Sequence, residues 1–170
     1  MGYREFIADN FRIVDKQGVV VDFILNKVQE KYLLEDSTNR DIILKARQQG
    51  FSSLSLARFN ADFLVKENCV NVVVADNADN AIALLDRVKF FLKSYEEKNE
   101  IKIPLKYNSK YEIFNAESNA RYSIGTAENT EFGRSRTINN LLLSEAAFYQ
   151  HFDKILAGAL QAVVPEGKVV

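Results

Sequence analysis

Hydrophobic and polar positions along this chain alternate between two periods. Asn71-Val72-Val73-Val74-Ala75 is a continuous β-branched run bounded by polar residues, which predicts a buried parallel strand. Ala81, Leu84, Val88, Phe91 and Tyr95 follow at helical spacing. Upstream, the apolar run Asp41-Ile42-Ile43-Leu44 leads into a polar loop from Lys45 to Gly50. Ser52 and Ser53 then stand in front of a second helical pattern at Leu54, Ala57, Ala61 and Leu64. Strand, loop, helix, strand, helix in this order predicts parallel βαβ construction.

The flanking segments complete the pattern. Asp15-Lys16-Gln17-Gly18 is a turn between the apolar segments Phe11 to Val14 and Val19 to Val21, which predicts a small hairpin or extended arm. Asn26 is placed to cap a helix carrying Val28, Tyr32 and Leu33. Residues 97–110 are charged, contain Pro104 and read as a surface connection or edge. Tyr111 to Phe114 and Tyr122 to Thr126 read as paired strands, Ile138 to Leu143 as an apolar strand. Tyr149, Phe152, Leu156, Leu160 and Val163 mark a final amphipathic helix, Pro165-Glu166-Gly167 a turn, and Lys168-Val169-Val170 the start of another strand.

Composition narrows the chemistry. At 170 residues and 47% hydrophobic, the chain suits one globular domain with a real core. Its 22 basic and 23 acidic residues give no overall basic field, so any contact with DNA would be local. A single cysteine, Cys69, excludes an internal disulfide and a cysteine-based zinc site, and the lone His151 excludes a histidine metal cluster. The amino terminus has no apolar signal core, and no apolar run approaches the roughly 18 residues needed to span a bilayer.

The loop before Leu54 carries the sharpest chemical signal. A strand-to-helix junction points backbone N–H groups and the positive end of a helix at its loop, which suits a phosphate. Lys45 and Arg47 add full charges there, Gly50 permits close backbone approach, and a serine hydroxyl can reach a phosphate-bound magnesium. The spacing departs from G-x-x-x-x-G-K-[ST], with Lys45 in the first glycine slot and Phe51 in the lysine slot. An ordinary strand-to-helix turn with solvated cations is the competing reading. By themselves, Gln29 reads as a solvated helix residue and Glu145 as the exposed end of a buried strand. Lys98, Lys102, Lys106 and Lys110 read more readily as a solvated face than as a row on DNA phosphates.

Lys45-Ala46-Arg47-Gln48-Gln49-Gly50-Phe51-Ser52-Ser53 resembles the deviant Walker A segment of the large terminase subunits of tailed bacteriophages and prophages. Upstream, F-x-L-N-x-x-Q at Phe23 to Gln29 is similar to the segment in which that family places an adenine-reading glutamine. Downstream, Leu141-Leu142-Leu143-Ser144-Glu145-Ala146-Ala147-Phe148 resembles the family's S-E version of an acidic strand end. The resemblance implies an α/β, three-layer P-loop NTPase fold of the RecA/ASCE type with a mostly parallel central sheet. Lys45, Arg47, Gln48, Gln49, Gly50, Phe51, Ser52 and Ser53 would then hold the phosphates of ATP, and Gln29 the adenine. Ser52 and Glu145 would lie at Mg2+, with Glu145 polarising the attacking water. Arg134, directly after Gly133, or the nearby Arg136 would act as a finger from a neighbouring subunit. Ser144 replaces the usual aspartate and supplies no charge to the metal.

The resemblance covers nearly all of residues 1–170 but only the first part of a large subunit, ending before the coupling motif and the nuclease domain. It implies an incomplete N-terminal ATPase domain whose sheet is cut before its last core strands, which predicts self-association, strand borrowing from a neighbour or a lowered stability. Its implied setting is a viral DNA-packaging motor in the host cytoplasm. The partners would be double-stranded DNA, a small terminase subunit, a portal protein and further copies in a ring, with no membrane. Two other readings remain open: a non-catalytic fragment acting in assembly or DNA interaction, and a helicase-like ATPase.

Overall fold

The computed structural model describes residues 2–46, 48–128 and 137–170. The chain opens with α1 (Tyr3–Asn10), which the hydrophobic pattern does not reveal. It is two turns long and its N-cap, Gly2, makes no side-chain cap bond. The predicted hairpin follows as β1 (Arg12–Val14) and β2 (Val20–Asp22), antiparallel, with the Asp15 carboxylate accepting the turn N–H groups of Gln17 and Val19. Asn26 caps α2 (Lys27–Lys31) as expected, and the helix continues into a wider π turn at Tyr32–Asp36.

Then come α3 (Phe51–Val65), β3 (Val70–Ala75), α4 (Ala78–Asn99) and the strands β4 (Leu105–Asn108), β5 (Glu112–Asn115), β6 (Arg121–Thr126) and β7 (Ile138–Leu143). A short 3-10 turn at Ala146–Phe148 leads to α5 (Phe152–Ala162) and β8 (Val163–Val169). Among the described residues, six strands form one sheet in the order β4-β5-β6-β3-β7-β8. β6, β3, β7 and β8 run parallel, and β4 and β5 add an antiparallel edge.

Side chains alternate across β3 and divide the core in two. Val73 and Ala75 pack with Ile7, Phe59, Leu85, Val88 and Phe91 from α1, α3 and α4. Val72 and Val74 pack on the opposite face with Ile138, Leu141, Ile155 and Ala159. Helices therefore cover both faces of the sheet, giving three layers. At the amino-terminal end of the sheet the buried Asp62 carboxylate accepts from Tyr3 Oη, Lys66 Nζ and Asn140 Nδ2 at 2.8, 2.8 and 2.9 Å. Cys69 is buried, and desolvation pushes its thiol up to about 11, in keeping with a packing role.

Three expectations change. The last helix buries Ile155 and Ala159, whereas Phe152 and Leu160 are exposed, because the helix meets the sheet through the stripe four residues apart that carries Ile155 and Ala159. The apolar run at 41–44 forms no regular strand. It lies beside β8, held by Asp41 N–H to the Val169 carbonyl at 2.9 Å and by a parallel bridge between Arg40 and Val169. Ile42 and Leu44 are fully exposed. Pro165 and Gly167, read as a turn, sit inside β8.

Candidate active site

Parallel strands gather ligands at their carboxyl ends, and Glu145, just after β7, lies there with Lys45 beside it. The segment at 41–46 leaves the edge beside β8 and enters the loop that closes at Gly50. Gly50 adopts φ +73° and is the N-cap of α3, so the helix starts at Phe51 and places Ser52 and Ser53 inside its first turn rather than before it. No side chain caps this helix, leaving its first N–H groups directed at the loop.

Gln29 is buried and works within the chain. Its Oε1 accepts the Asn26 N–H at 3.0 Å, completing a capping box, and its Nε2 donates to the Gly50 carbonyl at 2.9 Å. One lone pair and one N–H remain on the amide. Phe51, in the slot where a lysine is usual, turns inward. It is buried in the main core with its ring edge-to-face to Tyr32, centroids 5.5 Å apart, so only its backbone N–H faces the loop.

At the other end of the loop, Lys45 Nζ lies 3.9 Å from the Glu145 carboxylate. Glu145 follows β7 with φ 60°, a strained conformation for a residue with a side chain. The turn is locked by Tyr149, whose hydroxyl donates to the carbonyls of Val74 at 2.8 Å and Ser144 at 2.9 Å, bridging the ends of β3 and β7. Burial raises the Tyr149 pKa, reinforced by the Asp76 and Glu145 carboxylates, so the phenol stays a donor. Ser144 is buried, its N–H bonded to the Val74 carbonyl at 2.9 Å.

A buried ion pair fixes the approach to the loop. Lys168 Nζ, on β8, pairs with Asp41, which also accepts from Tyr32 Oη and Thr38. Burial opposes the Asp41 charge, but the hydrogen bonds from Lys168, Thr38 and Tyr32 prevail and hold its carboxyl down at about 2. Neither partner carries a motif; their pairing needs β8 to return beside the loop segment, a long-range event.

Beside the loop lies a cavity of about 600 Å3 lined by the hairpin residues Ile13 to Lys16, by Phe23, Ile24, Asn26 and Gln29, by Gln48, Gln49, Gly50 and Ser53, and by α4. Arg87 of α4 reaches into this lining and donates to Ser53 Oγ at 3.3 Å. Sequence reasoning passed over Arg87, which sits unremarkably on the polar side of a long helix.

Arg47, Arg134 and Arg136 lie outside the described residues. The lysines at 98, 102, 106 and 110, read more readily as a solvated face than as a row on DNA, engage neighbouring side chains: Lys98 pairs with Asp22 at 2.7 Å, Lys102 with Glu96 at 3.2 Å, and Lys106 and Lys110 lie over the Tyr107 and Tyr111 rings. Among the described residues there is no cluster of three His, Cys, Asp or Glu side chains able to hold a metal, and no helix is long and apolar enough to cross a membrane.

No protein-family model matches this sequence, and no curated protein matches it. Solved structures do. The ATPase domain of the large terminase of Thermus phage P74-26 aligns with a TM-score of 0.67 at 15% identity, over 85% of this chain and 62% of that one. The large terminase of bacteriophage HK97 aligns with a TM-score of 0.75 at 15% identity, over 98% of this chain and 36% of that one. The chain thus spans less than two thirds of either neighbour. At such identities the likeness is one of architecture: this chain has the P-loop α/β fold of large terminase ATPase domains.

Proposed function

We propose that this chain is the ATP-binding and ATP-hydrolysing part of a DNA-packaging motor of the large terminase type. The observation that carries the reading is the approach of Lys45 to Glu145, a loop cation and a strand-end carboxylate 3.9 Å apart at the carboxyl edge of the parallel strands. Phosphates in the loop from Lys45 to Ser53 would meet the N–H groups at the start of α3 and the charges of Lys45 and Arg47. The amide of Gln29 retains one donor and one acceptor, which match the N6 and N7 positions of adenine.

The donor set fits Mg2+ rather than a softer metal. Magnesium keeps most of its waters and takes few protein ligands, and here Ser52 offers a hydroxyl in the first turn of α3 while Glu145 is half exposed. Bound with ATP, the ion would neutralise charge on the phosphates. Ser144 adds no charge, so the protein's share of the metal site is small. Glu145 is the residue to accept the proton of the attacking water, and Tyr149 holds the turn that presents it. Arg134, from a neighbouring copy, is the finger in this reading. The partners are double-stranded DNA, a small terminase subunit, a portal protein and further copies in a ring, in the host cytoplasm.

The test is binding and hydrolysis of ATP with Mg2+ by the chain and by Lys45→Ala and Glu145→Gln. The chain should bind, Lys45→Ala should lose affinity, and Glu145→Gln should bind but not hydrolyse. No binding at millimolar ATP would leave the non-catalytic assembly role as the better reading.

A further inference from the structure

The cavity beside the loop has three kinds of wall. Ile13, Ile24 and Phe90 make it apolar, Asn26, Gln29, Gln48 and Gln49 supply amides, and Arg87, Lys16 and the turn-capping Asp15 supply charge. A volume of about 600 Å3 is within the range of small-ligand sites. Lys45 and Glu145 do not line it, whereas Gln29 and Ser53 do. It therefore extends the loop on the side away from Glu145.

Arg87 stands where loop and cavity join. Its Nη1 donates to Ser53 Oγ at 3.3 Å, and Ser53 lies in the first turn of α3. Among the described residues no carboxylate forms an ion pair with Arg87, whereas Arg12 pairs with Glu97 at 3.1 Å and Lys98 with Asp22 at 2.7 Å. Its guanidinium carries a full charge at neutral pH. A planar cation whose hydrogen bond, among the described residues, goes to a serine, at the mouth of a cavity with apolar, amide and charged walls, matches a phosphate attached to a flat heterocycle.

We infer that Arg87 is a nucleotide-binding residue that holds the α-phosphate end of a purine nucleotide, whose base occupies the cavity between α4, the β1–β2 hairpin and Gln29. The inference rests on the proposed nucleotide reading and adds to it a residue from an element outside the phosphate loop. It makes α4 and the hairpin, rather than the loop alone, the source of selectivity for nucleoside over bare phosphate.

The test is a titration of the whole chain with MgATP and with MgADP, comparing wild type, Arg87→Ala, Arg87→Gln and Lys45→Ala. Removing a charge-assisted contact weakens binding by roughly ten- to hundredfold. Arg87→Ala should lose that factor equally for ATP and ADP, and Arg87→Gln, which keeps a donor but no charge, should lose most of it. Lys45→Ala, at the far end, should penalise ATP more than ADP. Thermal melts without nucleotide should match wild type, since Arg87 is exposed on its helix. Wild-type affinity in both Arg87 variants, or a loss confined to ATP, would overturn the assignment while leaving the nucleotide reading intact. Failure of the wild-type chain to bind either nucleotide would overturn both.

Discussion

The Nε2 atom of Gln29 lies 2.9 Å from the carbonyl oxygen of Gly50, and a Cβ at position 50 would stand only 2.6 Å from that nitrogen. The contact joins the capping box of α2, through its third residue, to the N-cap of α3. A side chain at position 50 would displace Gln29 and occupy a left-handed backbone conformation, which alone costs about 1–2 kcal/mol. Gly50→Ala should therefore lower stability by at least that amount in chemical denaturation and weaken nucleotide binding. Because both faults meet at one atom, Gly50→Ala combined with Gln29→Ala should lose less than the two single losses added together.

Tyr149 should matter more than its place after a short turn suggests. Tyr149→Phe leaves the carbonyls of Val74 and Ser144 without their shared donor, at a cost of about 1–2 kcal/mol. Under the proposed function, ATP turnover should fall while ATP affinity holds, because the lost bond positions Glu145 and not the loop. Steady-state kinetics alongside a denaturation curve separates the two effects.

Much of the site was readable because its signals are local. The Asn26 cap and the strand leading to Glu145 depend on a few neighbouring residues and appear where their patterns placed them, whereas the helix after the loop starts at Phe51, ahead of Ser52 and Ser53. Phe51, Tyr149, Asp41 with Lys168, and Arg87 take their roles from partners far along the chain. For Asp41 the partner is 127 residues away. The misplaced face of α5 has the same origin, since a helix rich in apolar residues offers several faces and the sheet selects one. Likewise, the run at 41–44 has strand composition but a single strand neighbour, β8.

The Asp41–Lys168 pair should appear in the acid limb of stability. The folded carboxyl titrates near 2, below its ordinary 3.8, so its stabilisation is complete above about pH 4 and is lost as pH falls through 2. The change is on the order of 2 kcal/mol. Asp41→Asn should flatten this limb and lower stability at pH 6, where it strands the buried Lys168, by roughly 3 kcal/mol. Denaturation midpoints at pH 6 and pH 2.5 measure both.

Ile42 and Leu44 present two fully exposed apolar side chains on an extended segment at the sheet edge. Such edges pair with other chains. Light scattering should show association growing with protein concentration, and Ile42→Lys with Leu44→Lys should abolish it without lowering the melting temperature. A chain that stays monomeric throughout would show that this edge is inert.

Putting Phe51 under Tyr32, where phosphate loops usually carry a lysine, merges two functions that are commonly separate. The loop's hinge becomes a keystone of the interior. The first turn of α3 cannot shift without opening the packing around Tyr32, whose hydroxyl is in turn bonded to Asp41. The start of α3 and core integrity then rise and fall together, so under the proposed function a ligand would meet a helix end already fixed and lose little freedom in settling it.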